Sequence, residues 1–369
     1  MIKSFVKKMR AIIANYIGVY FVPKLKSELI FTDMAEKVLQ KHSIEPKTSA
    51  LWERLHVEET VDLTIVVPVY NAEKYLVKCI DSIINQKTTY TYEVVIVDDC
   101  SRDNTNAILN QYEDNAKIKI LRQLTNQGVS KARNMGLCQA HGKYVMFVDS
   151  DDYLHENAVQ VFLETAYGLG ADIVQGGYYY IDCLTERIVH KKTYYFGENI
   201  PPNGVIEGMV CGKIYLTSLF DYVCFPEGYW YEDTIITALI SHLAKSIVTI
   251  PNMVYFYRQN PNGQTYNSRG KPKSIDTLWV HRCVLCARKA LGLSAGVDFY
   301  EHLLRMVVLS YKRTEQEEEI IKMSLFVQFG EMIRSVRQDS YVVKTVYRNL
   351  EKSILSKDYA KYSFLCKYL

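Results

Sequence analysis

Three carboxylates stand directly after an apolar run at residues 144–148. They are Asp149, Asp151 and Asp152. Because a buried strand tolerates no unpaired charge, carboxylates at its exit must face solvent, a cation or a ligand. Mg²⁺ and Mn²⁺ take oxygen ligands and keep positions open for phosphate oxygens, so the cluster indicates a metal that carries a diphosphate. The pattern favours a nucleotide-dependent transferase, but an acidic turn in which Asp151 or Asp152 caps the next helix fits it as well.

Alternating strands and helices are predicted upstream of this cluster. Apolar runs at 63–69, 93–97 and 118–121 are each followed by a segment with helical spacing. The third of these helices should begin at Ser130 as its N-cap and end at Gly142. Such alternation predicts an α/β fold with a mostly parallel sheet flanked by helices, in which ligands bind at the carboxyl ends of the strands. The acidic groups that fall at these ends are Asp98, Asp99, Asp149 and Asp151.

Four motifs in this order resemble the glycosyltransferase family 2 module, a Rossmann-like GT-A fold. They are IVVPVYN at 65–71, VDDCS at 97–101, NQG at 126–128 with ARNMG at 132–136, and DSDD at 149–152. Two later segments fit the acceptor half of the same family, namely GKIY at 212–215 and FPEGYWYED at 225–233. The resemblance implies an inverting transfer of a sugar from a nucleotide sugar, most simply a uridine diphosphate sugar, to an acceptor hydroxyl.

The resemblance also implies roles for single residues. Asp99 is expected to accept from the uracil imide, and Asp149 to contact the ribose or, indirectly, the metal. Asp151 is expected to ligate Mn²⁺ or Mg²⁺ directly. Arg133 could brace the nucleotide or Asp149, although a structural salt bridge would explain it too. The residues expected to bind the nucleotide sugar are Pro68, Tyr70, Asn71, Asp99, Gly128, Arg133, Asp149 and Ser150.

The acceptor half is expected to supply the base. Removal of the proton from the attacking hydroxyl can be done by a nearby carboxylate, and the resemblance assigns this role to Asp233. Lys213, Trp230 and Glu232 are the other residues expected on the acceptor side. Glu232 and Asp233 could equally be carboxylates at a helix N-terminus, where the macrodipole favours them, and both roles are compatible.

Composition bounds the remaining possibilities. The chain has 369 residues, a net charge of +3 and nine cysteines in no regular spacing. With no cleavable signal peptide recognised, these features favour a cytoplasmic protein. We expect a basic helical extension at 1–60, a GT-A domain at 61–270 and a helical region at 271–369. Within the GT-A domain, 61–154 would bind the nucleotide and 155–270 the acceptor.

The two ends of the chain are basic and partly apolar. Residues 1–27 contain six lysines and arginines and no acid, and 340–369 contain six against two acids. Such ends could lie on an anionic inner membrane surface near a lipid-linked saccharide acceptor, or they could be helices docked on the protein. Because the charge is terminal and forms no stripe through the domain, nucleic acid is not an expected partner.

Two other function classes stay open at this stage. A nucleotidyltransferase would need a glycine-rich, basic phosphate loop after the first strand, and the segment at 68–71 is not one. A non-catalytic nucleotide-sugar-binding or scaffold protein on the same fold would be expected to lack Asp151 or Asp233, and both are present. An active, metal-dependent glycosyltransferase of cell-surface or exopolysaccharide synthesis is therefore the favoured hypothesis, with the donor sugar, linkage and oligomeric state left open.

Overall fold

The computed structural model of the chain describes residues 31–55, 57–201, 208–261, 263, 268 and 270–369. The basic segment 1–27 lies outside the described residues, and its predicted membrane role stays a prediction. The chain divides into two compact units. The first unit consists of 48–228 and 232–263, and the second contains 229–231 and the described parts of 1–47 and 264–369.

The described strands of the first unit join in one mixed sheet. Their order is β3-β2-β1-β4-β8-β6-β9-β5, and β7 pairs with the free half of β6. The pairs among β3, β2, β1 and β4 are parallel, whereas β8 is antiparallel to both β4 and β6. The strands are β1 Val61–Val69, β2 Tyr92–Asp98, β3 Ile118–Arg122, β4 Gly142–Phe147, β5 Tyr153–Leu154, β6 Ile173–Asp182, β7 Ile188–Lys192, β8 Lys213–Leu216 and β9 Ile247–Gln259.

Helices alternate with the first strands, as predicted. The described α-helices longer than three residues, in chain order, are α1 Thr32–His42, α2 Leu76–Ile84, α3 Thr105–Asn110, α4 Val129–Cys138, α5 Ala158–Leu169, α6 Asp276–Ala290, α7 Val297–Arg313, α8 Glu319–Val336, α9 Thr345–Leu355 and α10 Tyr359–Tyr368. The α/β class is therefore confirmed. The sheet is parallel only in its β3-β2-β1-β4 part and mixed beyond it, because β8 and β5 are antiparallel to the strands beside them.

Two predicted helix ends were wrong. The helix α4 begins at Val129 with Gly128 as its N-cap, whose φ is 89°, so that Ser130 lies inside the helix and is buried. Gly142 does not end that helix but begins β4, where it pairs with Val61 of β1. A Cβ at Gly142 would come within 2.2 Å of the Thr64 backbone nitrogen, so the glycine is needed for close strand approach. Gly142 is therefore required by strand packing and does not end a helix.

The centre of the sheet forms the core of the first unit. The apolar side chains of β1, β2 and β4 are almost entirely buried, as expected for parallel strands covered on both faces. Thr64 is the polar exception on β1, and its hydroxyl donates to Glu93 at 2.6 Å. The strand β4 pairs with β1 on one side and with β8 on the other. It therefore gives rigid support to the acidic residues that follow its carboxyl end.

The second unit is helical. Gln328 of α8 donates to the backbone oxygen of Thr32 at 2.7 Å, and Arg282 of α6 pairs with Glu36 of α1 at 2.6 Å. The helices α9 and α10 occupy the region predicted as a basic amphipathic end, and both bury apolar side chains, among them Leu350 and Leu365. Among the residues that the structure describes, no helix combines the length and apolar character needed to cross a membrane.

Candidate active site

The acidic residues after β4 form a tight turn. The Asp152 backbone N–H donates to the backbone oxygen of Asp149 at 3.0 Å. The Asp152 carboxylate is buried and accepts from the Tyr255 hydroxyl at 2.8 Å and from the Arg258 backbone N–H at 2.6 Å. Asp152 is therefore an internal anchor that ties the turn to β9. The prediction that it caps the next helix was wrong, because α5 begins at Ala158 with Asn157 as its N-cap.

Among the described contacts, the Asp151 side chain accepts the fewest hydrogen bonds of the three carboxylates in this turn. Its side chain accepts from the Asn260 amide at 3.2 Å, and the Arg258 guanidinium donates to its backbone oxygen at 2.7 Å. Burial, and then the charge of Asp149, raise the pKa of Asp151 above its usual value. The pKa of Asp152 is raised further, by burial first and by the charges of Asp151 and Asp149. Burial and repulsion between neighbouring carboxylates thus both disfavour the charged forms of Asp151 and Asp152.

A divalent cation would suit this donor set. Within the described parts of the chain, no group of three His, Cys, Asp or Glu side chains is arranged as a metal site. Mg²⁺ commonly uses only one or two protein carboxylates together with water and substrate phosphate oxygens. The raised pKa of Asp151 indicates a carboxylate whose charge a cation would stabilise. The residues present therefore fit a metal that binds together with a diphosphate.

Arg133 connects this turn to the Glu232–Asp233 pair. From α4, one guanidinium nitrogen donates to Asp149 at 2.9 Å and the other terminal nitrogen to Glu232 at 2.6 Å. Burial disfavours the charge of Arg133, but Asp149 and Glu232 outweigh this effect and raise its pKa above the usual value. Its Nε is buried and has no hydrogen-bond partner among the described residues. A single buried cation therefore holds one carboxylate from each half of the predicted site.

Asp149 is fixed by two further contacts. The Cys211 thiol donates to its second carboxylate oxygen at 3.2 Å, and its backbone N–H donates to the Tyr255 hydroxyl at 3.2 Å. Burial, and then the charge of Asp149, raise the pKa of the Cys211 thiol, so it stays protonated and can donate. No sequence pattern indicates this role for Cys211, since a lone cysteine before a glycine carries no chemical signal.

Glu232 and Asp233 also begin a helical turn. Their backbone oxygens accept from the N–H groups of Ile235 at 3.3 Å and Ile236 at 2.9 Å, just before the π-helical segment Ile236–Ile240. Glu232 is buried and bound to Arg133, whereas Asp233 is half-buried. The helix-start interpretation therefore holds, and the role of Asp233 as base stays a prediction.

Asp99 holds a loop of its own chain. Its carboxylate accepts from the backbone N–H groups of Gln127 and Gly128, both at 2.7 Å, and from the Gln123 amide at 2.8 Å. Burial raises the pKa of Asp99 despite these hydrogen bonds. The structure thus brings Asp99, which follows β2, together with Gly128, which follows β3, at the carboxyl ends of these paired parallel strands. Contact with a uracil base stays a prediction.

The other predicted nucleotide residues lie at the ends of β1 and β4. Pro68 is buried in β1 opposite Val97, and Tyr70 beyond it is 45% exposed. Asn71 has a φ of 49° and accepts from the Arg102 backbone N–H at 2.8 Å, which ties the loops after β1 and β2 together. Ser150 is half-buried in the acidic turn.

Two predicted acceptor residues have structural contacts. Lys213 on β8 is 1% exposed, and its ammonium donates to the backbone oxygens of Met209 at 2.6 Å and Cys211 at 3.4 Å. It therefore supports the segment that carries the Cys211 thiol. Trp230 belongs to the second unit, where its backbone N–H donates to Asp276 at 2.8 Å. Direct contact of either residue with an acceptor stays a prediction.

Comparison with known proteins finds similarity in the part of the chain that holds the candidate site. Residues 64–221 match the family described as Glycosyl transferase family 2, and this range contains the β1, β2 and β4 ends and the acidic turn. This part of the chain is therefore similar to family 2 glycosyltransferases.

Curated relatives agree with this family. The chain is 28% identical over 279 residues to glycosyltransferase GlyG of Streptococcus pneumoniae. The aligned region covers 70% of this chain and 90% of GlyG. It is 41% identical over 218 residues to poly(ribitol-phosphate) beta-N-acetylglucosaminyltransferase TarS of Staphylococcus aureus, covering 56% of this chain. The match spans only 37% of TarS.

A solved structure has a similar fold. The crystal structure of S. aureus TarS 1–349 in complex with UDP-GlcNAc covers 83% of this chain and 90% of its own chain, with a TM-score of 0.68 and 23% identity. The GT-A fold predicted from the four motifs is therefore confirmed.

Proposed function

We propose that the chain transfers a sugar from a uridine diphosphate sugar to a hydroxyl of a cell-surface polymer or lipid-linked saccharide, with inversion at the anomeric carbon. One observation carries the proposal. The acidic turn at the end of β4 is joined through Arg133 to Glu232, at 2.9 Å and 2.6 Å. A donor-side carboxylate and the carboxylate next to the proposed base thus share one rigid cation.

Mn²⁺ or Mg²⁺ is the proposed cofactor. Asp151 would hold it, and Asp149 would contact it indirectly or bind the ribose. When bound, such a cation lowers the cost of the charge that develops on the departing diphosphate by several kcal/mol. Asp151 suits this role because burial, and then the charge of Asp149, raise its pKa, so that a bound cation would stabilise its charged form.

Asp233 is the proposed base. The acceptor oxygen forms a bond to the anomeric carbon while the bond from that carbon to the diphosphate oxygen breaks, and Asp233 receives the hydroxyl proton. Because this is a single displacement, an α-linked donor gives a β-linked product. Glu232 is held by Arg133, so its position, and with it the start of the helical turn that carries Asp233, is fixed before an acceptor arrives.

The relatives suggest which donor to test first. TarS is named as an N-acetylglucosaminyltransferase that acts on poly(ribitol-phosphate), and a TarS structure was solved with UDP-GlcNAc. We propose a UDP-hexose or UDP-N-acetylhexosamine as donor, and a hydroxyl of a saccharide or polyol polymer as acceptor. We further propose that the protein acts in the cytoplasm, at the inner face of the membrane where lipid-linked acceptors lie.

A nucleotide-sugar screen tests this proposal. UDP and GDP sugars are incubated with the protein and Mn²⁺, Mg²⁺ or a chelator, and nucleotide release and melting temperature are both recorded. A ligand present at about 100 times its dissociation constant adds roughly 2.7 kcal/mol of stability. We expect metal-dependent UDP release from at least one UDP sugar. Thermal protection without any release, also with acceptor polymers added, would favour a binding or scaffold protein instead.

A further inference from the structure

The hairpin of β6 and β7 and the segment after it carry apolar side chains that lie in solvent. Leu184 is 88% exposed, Ile188 54% and Val189 53%. Farther along, Tyr195 is 94% exposed and Phe196 58%. Exposed apolar groups concentrated in one short segment, here between 184 and 196, indicate an interaction site. We call these five residues, together with Arg187 and Lys191, the hairpin surface.

The strand β7 is exposed on both of its faces. Successive side chains of a strand point to opposite faces, so Ile188 and His190 share one face, and Val189 and Lys191 the other. All four are exposed. Within the described residues, β7 pairs only with β6. Edge strands are usually protected by charge or short length. This strand has both, with five residues and two lysines, yet it also presents two β-branched apolar residues to solvent.

The charged side chains of the hairpin surface are positive and exposed to solvent. The side chains of Arg187 and Lys191 are exposed and make no ion pair with any described residue. The neighbouring acid, Glu186, is not their counterion, because it is held by Arg258 at 3.0 Å and by Lys78. Between 187 and 197 the sequence contains no acidic residue. An anionic partner would meet no acidic side chain from 187 to 197, and the nearest ones along the chain are Glu186 and Glu198.

We propose that the hairpin surface docks on an anionic lipid bilayer. In this arrangement Leu184, Ile188 and Val189 enter the boundary between headgroups and acyl chains. Tyr195 and Phe196 lie at the same depth, and Arg187 and Lys191 face the anionic headgroups. Apolar area and basic charge both strengthen binding at such an interface.

The aliphatic side chains distinguish this partner from an anionic saccharide polymer. A polymer could stack on the rings of Tyr195 and Phe196 and pair with the cations. It would gain little from Leu184, Ile188 and Val189, which bind lipid well and sugars poorly. The proposal does not depend on which sugar is transferred, and it places the membrane contact in the first unit rather than at the basic ends of the chain.

Vesicle flotation of the full-length protein tests the charge contribution. Vesicles of phosphatidylcholine with and without phosphatidylglycerol are compared for wild type, Arg187→Gln/Lys191→Gln and a control. Lys37→Gln/Lys289→Gln is the matched control, since it removes two exposed lysines of the second unit. Each cation near an anionic surface contributes about 1 kcal/mol, so we expect binding to fall about tenfold or more in the hairpin variant only. Equal losses in both variants would overturn the proposal.

A tryptophan placed on the hairpin tests where the protein contacts the lipid. Phe196→Trp is compared with Leu124→Trp, a 96% exposed position in the loop before α4. Brominated lipids should quench the added fluorescence at 196 and leave that at 124 unchanged. Absence of quenching at 196 in vesicle-bound protein would refute the docking site.

In addition, Ile188→Thr/Val189→Thr should weaken vesicle binding with unchanged circular dichroism. If this variant instead dissociates an oligomer and still binds vesicles, the hairpin surface contacts a second copy of the chain and the proposal is wrong.

Discussion

Replacement of Arg133 should destabilise the protein and uncouple the two halves of its site. In Arg133→Met, the carboxylates of Asp149 and Glu232 lose the cation that now lies 2.9 Å and 2.6 Å away. Removal of one partner from a buried ion pair costs about 3–5 kcal/mol, because the remaining charge stays buried. Glu232 is 10% exposed at its side chain, but Asp149 is 31% exposed and keeps some hydration. We therefore expect a loss near the lower limit, about 3 kcal/mol.

A double-mutant cycle assigns this loss to the buried charges. Because Arg133→Met/Glu232→Gln removes one stranded carboxylate, it should be more stable than the sum of the two single losses predicts, by roughly 1–2 kcal/mol. Arg133→Lys keeps the charge but cannot span two carboxylates as a planar guanidinium does, and it should recover only part of the stability. Urea unfolding followed by circular dichroism measures each variant.

An exposed arginine supplies the control. Arg122 pairs with Glu113 at 2.6 Å, and both side chains are more than a third exposed. Such surface pairs contribute at most about 1 kcal/mol, so Arg122→Met should unfold nearly as wild type does. Two results would disprove the two-carboxylate role of Arg133. One is an Arg133→Met protein no less stable than Arg122→Met, and the other is an Arg133→Met/Glu232→Gln protein no more stable than the sum of the two single losses predicts.

Three further results are expected. Asp151→Asn should abolish metal-dependent transfer in a folded protein, and near-normal turnover of the purified variant would exclude Asp151 as the metal ligand. The raised pKa of Asp151 means that the folded state binds this proton more tightly than the unfolded state. The free energy of unfolding should therefore fall as pH rises from about 4 through the folded pKa, and urea unfolding across this range should show a weaker fall in Asp151→Asn. Calorimetry should show tighter binding of uridine diphosphate than of guanosine diphosphate, owing to Asp99, and the opposite order would exclude the uracil contact.

The sequence predicted the acidic turn because its signal is local. An apolar run followed at once by Asp149, Asp151 and Asp152 requires the chain to leave the core at that point. The same reasoning could not find the anchoring role of Asp152, since its partners Tyr255 and Arg258 are about a hundred residues later and belong to β9. Long-range pairing of strands, and not the turn itself, decides which carboxylate is buried.

The helix signals near Gly128 and Gly142 led to wrong predictions of the ends of α4 for a related reason. A serine before an apolar run and a glycine after it are typical of helix ends, yet the helix starts at Val129 and Gly142 lies against the Thr64 backbone in the sheet. The sequence predicts that Arg133 braces the nucleotide or Asp149, or forms a structural salt bridge. Its bond to Glu232 joins positions that are far apart in the chain and could not be predicted from spacing. Tertiary packing determined each of these outcomes.

The transfer rate of Asp233→Asn tests the central claim most directly, provided that donor binding and melting temperature are measured on the same protein. If Asp233 is the base, donor affinity should stay nearly unchanged, while turnover falls by 10²- to 10⁴-fold, or roughly 3 to 5 kcal/mol of transition-state stabilisation. A carboxylate that only begins a helix would instead cost about 1 kcal/mol of stability and little rate. A stable Asp233→Asn protein that keeps more than about a tenth of the wild-type rate would contradict the mechanism.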